Sequence, residues 1–268
     1  MTISDEIKME ISKKIKNCLK LKARIQEKKL DIQKGDKHPF LQNLCGYEFL
    51  LTTKVGQSLQ TTFGQSLYET ICCDLAITFG NSCEKQKKIY GYIDDEIVLY
   101  LNKLEDIEYV PNREREIQEI RDICKSKFFE NKDKIFEYPD STVDVFMEKK
   151  DGTKILIDIT TVKNNKKSFR ALKRKTLEWS AIMFSQNPEI DLEPFFAIPY
   201  NPESPIPDSI KYTRWNQYYD RADILVGDEL WKKVSNDKFS IIDLIKIFQS
   251  LEKTLKEEIS SALYDIKK

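Results

Sequence analysis

Two β-rich runs, Thr142 to Glu148 and Lys154 to Val162, flank Lys150-Asp151-Gly152. An Asp-Gly step between such runs is a strong hairpin signal, because the glycine supplies the positive φ that a tight turn demands. With those three residues as the loop, Lys149 pairs with Thr153. Counting back along both strands then sets Asp144 opposite Asp158. Directly paired residues share a sheet face, with Cβ atoms roughly 5 Å apart. Two carboxylates that close repel each other unless a cation sits between them. The hairpin therefore has two readings: a divalent-metal site, or two solvated aspartates on an edge.

The rest of the chain narrows the chemistry. Only one histidine, His38, occurs among 268 residues, so histidine-based triads and multi-histidine metal sites are nearly excluded. Catalysis here must run on carboxylates, lysines and a hard metal ion. Six cysteines show no paired metal spacing, and they read as reduced core thiols of a cytoplasmic protein. The acidic start, Met1-Thr2-Ile3-Ser4-Asp5-Glu6, is unlike a signal peptide, and no apolar run approaches a membrane span.

Lys+Arg and Asp+Glu both number 44, but the charges are unevenly spread. Residues 163–175 hold seven basic side chains and no acid: Lys163, Lys166, Lys167, Arg170, Lys173, Arg174 and Lys175. Such asymmetry points to a polyanion on one side of the molecule, or else to a solvated helix face.

Periodicity supplies the architecture. Ile3, Ile7, Ile11, Ile15 and Leu19 recur every four residues and the stripe resumes at Ile25. This predicts one long amphipathic helix or two broken ones ending at Lys34-Gly35. Residues 1–60 are expected to form a helical segment that packs on a second subunit, and residues 61–268 the main domain. His38-Pro39 opens a connector. Phe63 to Phe79 reads as a helix bearing Glu69, Asn81 to Tyr90 as a polar loop, and Tyr92 to Leu104 as helix or strand. Arg113 to Phe129 is a charged helix. Ser168 can cap a helix from Phe169 to about Ser185 whose buried face carries Phe169, Leu172, Thr176, Trp179 and Met183. Short strands follow at Phe195–Ile198 and Ala222–Gly227, the second leading into a helix at Asp228, and a closing helix spans Ser240 to Lys267. The expected fold is α/β, a central mixed β-sheet of four or five strands flanked by helices, with helical N- and C-terminal elements.

An aspartate on one strand, a turn, Asp158-Ile159-Thr160 on the next and a basic helix after it resemble the PD-(D/E)xK nucleases. More closely, the chain resembles the TdeIII-type restriction endonucleases. The residues that carry this are Asp158-Ile159-Thr160-Thr161-Val162-Lys163-Asn164-Asn165, then Phe169-Arg170-Ala171-Leu172-Lys173-Arg174-Lys175-Thr176-Leu177-Glu178-Trp179. Ala197 to Pro202, Tyr212 to Trp215, Val226 to Trp231 and Phe63 to Glu69 add to it in the same order.

The resemblance implies a Mg²⁺-dependent type II restriction endonuclease, with Mn²⁺ as a substitute ion. It implies a homodimer cutting a short GGNCC-like palindrome in double-stranded DNA, with a DNA methyltransferase as genetic partner. By it, Asp144 and Asp158 hold the metal and Glu69 is an additional acid. Asp140, the literal Pro-Asp aspartate, is the alternative to Asp144. Thr160 stands where the motif has lysine, so either Lys163 reaches back or a basic residue arrives from elsewhere. The candidate DNA contacts are Asn165, Lys166, Lys167, Arg170, Lys173, Arg174, Tyr200, Asn201 and Arg214, the last because guanidinium matches guanine O6 and N7. Thr160 also motivates a second function, an inactive DNA-binding protein that keeps the nuclease fold. A helical interaction protein with an incidental hairpin is the third.

Overall fold

The computed structural model describes residues 5–35, 38–104, 109–160, 165–204, 212–214 and 216–267. The chain forms two compact units. One comprises the residues up to Tyr68 together with those from Ile242 onward; the other is Glu69–Ile241.

The first unit is helical. Helices α1 (Asp5–Leu19) and α2 (Leu21–Gln33) are separated at Lys20, whose left-handed backbone (φ 41°) breaks the run. The expected stripe holds on both sides, with Ile11, Ile15, Leu19 and Ile25 buried. The connector expected after His38 contains a short helix, α3 (Pro39–Cys45). His38 caps it by accepting from the Leu41 amide, and proline opens it, where its missing N–H costs nothing. Helix α4 (Tyr47–Thr62) buries Leu50 and Leu51 and leads into a π-helical turn, Phe63–Leu67. Most of α11 (Ile241–Lys267) completes this unit, with Phe248 5.9 Å from Phe63.

The second unit is built on a five-stranded sheet in the order β1 (Ser82–Lys88), β2 (Thr142–Glu148), β3 (Lys154–Ile159), β4 (Leu192–Ile198), β5 (Ile224–Val226). The first three strands are antiparallel, and β3, β4 and β5 run parallel. Helix α5 (Tyr68–Thr78) precedes β1. Helices α6 (Asp95–Leu104), α7 (Arg113–Ser126) and α8 (Phe128–Asn131) follow it, and α9 (Lys166–Gln186) joins β3 to β4. Helix α10 (Asp228–Val234) comes after β5. Parallel neighbours need such a crossover, and a strand covered on both faces reads as a continuous apolar run. Accordingly Ile155 through Ile159 are all buried.

Trp179 and Phe184 of α9 join Phe146, Leu156 and Ile182 in the main core, and Trp231 is fully buried on α10. The mixed α/β architecture is the one the periodicity implied.

The hairpin has the register the Asp-Gly turn dictates. The Lys149 amide donates to Thr153 O at 3.0 Å, Gly152 adopts φ +89°, and Glu148 pairs with Lys154 and Val145 with Ile157.

Three expectations are corrected. Residues 82–88, expected as part of a polar loop, are strand β1. It is an edge strand, so its Ser-Cys-Glu-Lys-Gln-Lys-Lys sequence needs no buried face and shows no alternation. The cap of α9 is Asn165, which accepts from the Ser168 amide at 2.9 Å and starts the helix three residues before Phe169. The cysteines are not all reduced: Cys73 of α5 is bonded to Cys83 of β1, while Cys18, Cys45, Cys72 and Cys124 are free. Among the described residues no helix is long and apolar enough to cross a membrane.

Candidate active site

The β2–β3 ladder runs as far as Val145 and Ile157, and Asp144 and Asp158 are the next residues along the two strands. Asp144 Oδ2 accepts from the backbone amide of Ile159 at 2.8 Å, which locks that carboxylate against β3. Burial raises the Asp144 carboxyl above the usual carboxylate range, and the charge of Asp158 raises it further. Asp158 is buried, and its Oδ2 is ion-paired with Lys175 Nζ from α9.

Glu69 enters from α5. It is buried and is pushed up to about 7, by loss of solvent first and by the charges of Asp144 and Asp158 besides, with Gln86 acting the other way. Gln86 joins the acids. Its Nε2 donates to Asp144 Oδ1 at 3.0 Å, from a position on β1 where the ladder to β2 skips one pair and the backbone is left-handed (φ 50°). A non-glycine residue in that region stores strain and is typical of functional sites.

The arrangement is thus three carboxylates in one neighbourhood, served by an amide and an ammonium. Among the described residues no group of three or more His, Cys, Asp or Glu side chains is placed to hold a metal ion. The donor set nevertheless fits a hard divalent ion. Mg²⁺ is commonly held by one or two carboxylates, with waters and substrate phosphate filling the other positions. Two carboxylates that repel one another across a strand pair meet that need.

Asp140, the alternative to Asp144, lies exposed in the turn before β2, and its backbone oxygen accepts from Trp179 Nε1 at 2.7 Å. The charge of Asp158 acts on the Asp144 carboxyl, which makes Asp144 the acid taken with Asp158 here. The Thr160 amide donates to Ala197 O at 2.9 Å, fastening the end of β3 to β4. Lys163 lies outside the described residues.

The proposed DNA contacts divide. Lys173 is buried, with its ammonium ion-paired to Glu116 and Asp223. It ties α9 to α7 and to the segment before β5, and so is corrected from a phosphate contact to a structural ion. Asn201 is also buried; its Oδ1 accepts from the Glu203 amide at 2.9 Å in an Asx turn, which corrects its assignment as a DNA reader. Arg174 is half-buried, bonded to Glu178 at 2.8 Å and Asn102 at 3.0 Å. Lys166 and Arg170 lie over the Tyr218 ring, Lys167 is exposed, and Asn165 spends its side-chain oxygen on the helix cap. Tyr200 is exposed, and Arg214 is half-buried with its backbone oxygen accepting from Tyr219 Oη.

Sequence reasoning missed Gln86 and Lys175 as members of the site. Gln86 sat in the supposed loop. Lys175 was visible only as one charge in the basic run, although it stands one helical turn before the buried Trp179.

A mixed sheet flanked by helices, with paired strand carboxylates beside a basic crossover helix, makes this an α/β protein of restriction-endonuclease-like fold. The family model for "Type II restriction endonuclease, HinfI" matches residues 1–252, and the chain belongs to that family. It is similar to the type II restriction enzyme MjaII of Methanocaldococcus jannaschii, with 29% identity over 218 residues, covering 77% of this chain and 56% of that one. It is also similar to the type II restriction enzyme HgiCII of Herpetosiphon aurantiacus, with 22% identity over 231 residues, covering 85% of this chain and 82% of that one. The match therefore spans just over half the length of the first relative.

Proposed function

We propose that the chain is a type II restriction endonuclease of the PD-(D/E)xK superfamily, close to the TdeIII type. It hydrolyses phosphodiester bonds of double-stranded DNA at a short GGNCC-like palindrome. The observation that carries this reading is Asp144 bonded to the backbone of β3 next to Asp158, with the charges of both acting on Glu69. Asp144 and Asp158 are the residues that would hold Mg²⁺, or Mn²⁺ in its place. Such an ion would supply positive charge and an activated water at the scissile phosphate.

The protein's own groups set the scene for that chemistry. The Ile159 amide and Gln86 fix the Asp144 carboxylate, one oxygen each. Glu69, poised near neutrality, can take up a proton beside the attacking water. Lys166, Lys167 and Arg170 on the first turns of α9 lie on the accessible side of the helix, where phosphates of a duplex would run. Arg214 and Tyr200 are the remaining candidates for base contact. A palindromic site is matched by a two-fold dimer that sets one centre on each strand, the N-terminal helices being the candidate dimerising or clamping element. The genetic partner would be a DNA methyltransferase, and the compartment the cytoplasm.

A plasmid digest with and without Mg²⁺ tests the reading. Discrete fragments in Mg²⁺, absent in chelator and absent with Asp158→Ala, are expected. DNA retained at low salt but never cut, even in Mn²⁺, would favour instead an inactive binding protein, the reading that Thr160 motivates.

A further inference from the structure

The face bearing Asp144 and Asp158 ends in Thr160, and a hydroxyl carries no charge to offer a phosphate. A cation does reach this face from another element. Lys175 of α9 is ion-paired with Asp158 Oδ2, its side chain 24% exposed against 7% for the aspartate. The Lys175 side chain thus borders solvent beside Asp158. Its position is built from two directions. Lys175 Nζ stands 5.0 Å from the ring centre of Trp179, one turn along the helix. Trp179 is itself fixed by its Nε1 bond to Asp140 O in the turn that enters β2. Of its basic neighbours on α9, Lys173 pairs with Glu116 and Asp223 and Arg174 with Glu178, while Lys166 and Arg170 lie over Tyr218.

We propose that Lys175 is the charge-supplying lysine of the active site, delivered by the crossover helix in place of a lysine at position 160. The assignment rests on the nuclease reading above. Hydrolysis joins a water oxygen to phosphorus and breaks one phosphorus–oxygen ester bond. The water gives up a proton, the departing alkoxide takes one up, and the products are a phosphate end and a hydroxyl end. Negative charge peaks on the non-bridging oxygens on the way, where an ammonium in contact is most effective. Without DNA, Lys175 neutralises Asp158. A divalent cation held by Asp144 and Asp158 would free the ammonium from Asp158 for the phosphate. Metal and lysine therefore compete for one carboxylate.

That competition gives a readout independent of cleavage. The full chain and its Lys175→Gln variant, with Lys175→Met as a second in case the first folds poorly, are compared in three measurements. In single-turnover cleavage with Mg²⁺, the loss of Lys175 is expected to slow the chemical step about a hundredfold. Affinity for the same DNA in Ca²⁺ is expected to change by less than about tenfold, since one of many phosphate contacts is lost. Calorimetric Ca²⁺ affinity of the DNA-free protein is expected to rise about threefold or more, because a competing cation is gone. Cleavage within about threefold of the parent, a loss carried wholly by weaker DNA binding, or unchanged Ca²⁺ affinity overturns the assignment. A parent chain that cuts no DNA in Mg²⁺ or Mn²⁺ sinks the nuclease reading and this assignment with it. That outcome is distinct from a parent that cuts and a variant that cuts as well.

Discussion

Gln86 Nε2 donates to Asp144 Oδ1 across 3.0 Å, linking the edge strand to the strand that carries the first acid. The same side chain also acts on Glu69, whose carboxyl it pulls back down against the effect of burial. Groups that orient ligands without binding the metal typically matter by 10–100-fold in affinity or activity. Gln86→Ala is therefore expected to weaken Mn²⁺ binding by about that factor. Gln86 is exposed, so the stability cost should stay below about 1 kcal/mol. Calorimetric titration beside a urea melt checks both. A variant that binds Mn²⁺ as the parent does would show that the amide orients nothing.

Glu69 makes the metal-free protein sensitive to pH. Its carboxyl titrates near 4.5 when unfolded and at about 7 when folded. Between those values the folded chain keeps a proton that the unfolded chain has released, so stability falls as pH rises through this window and levels off above 7. Glu69→Gln removes the contribution. In chelator, the variant should match the parent near pH 5 and exceed it at pH 8, by on the order of 1–3 kcal/mol. Urea midpoints at several pH values measure the gap, and parallel curves would remove Glu69 from the titration.

Register was legible in the sequence because a turn dictates it. Lys150-Asp151-Gly152 admits one close pairing, and from it the register of β2 on β3 follows by counting as far as Val145 and Ile157. The terminal helices were legible from stripes of isoleucine and leucine that burial then uses. Strand β1 was not, because an edge strand is held by its backbone hydrogen bonds and its side chains can all be polar. The Cys73–Cys83 bond was hidden for a related reason: the two come together only once residues 82–88 are a strand beside α5. On α9 the basic run was plain but its division was not. Residues two apart on a helix point about 200° away from each other. Lys173 consequently faces Glu116 and Asp223 while Lys175 faces Asp158, a split that depends on how the helix crosses the sheet.

Lys173 sits at the centre of a buried ion cluster. Its ammonium pairs with Glu116, which is fully buried, and with Asp223, which also receives Arg113 NH1 at 3.4 Å. Asp223 is held further by the Asp220 amide, which donates to its Oδ2 at 2.9 Å, so the cluster fastens α7, α9 and the segment before β5. Removing the central cation would leave two acids buried, with Arg113 paired to Asp223 alone of the two, and breaking one partner out of a buried pair costs about 3–5 kcal/mol. Lys173→Ala should lower folding stability by about that amount. Lys167→Ala, on the exposed side of the same helix, should leave stability within about 0.5 kcal/mol and instead weaken DNA binding with a shallower salt dependence. Paired urea melts and salt-titrated gel shifts separate the two. The division of α9 into a structural and a DNA-facing side would fail if Lys173→Ala melted with the parent and lost DNA affinity as Lys167→Ala does.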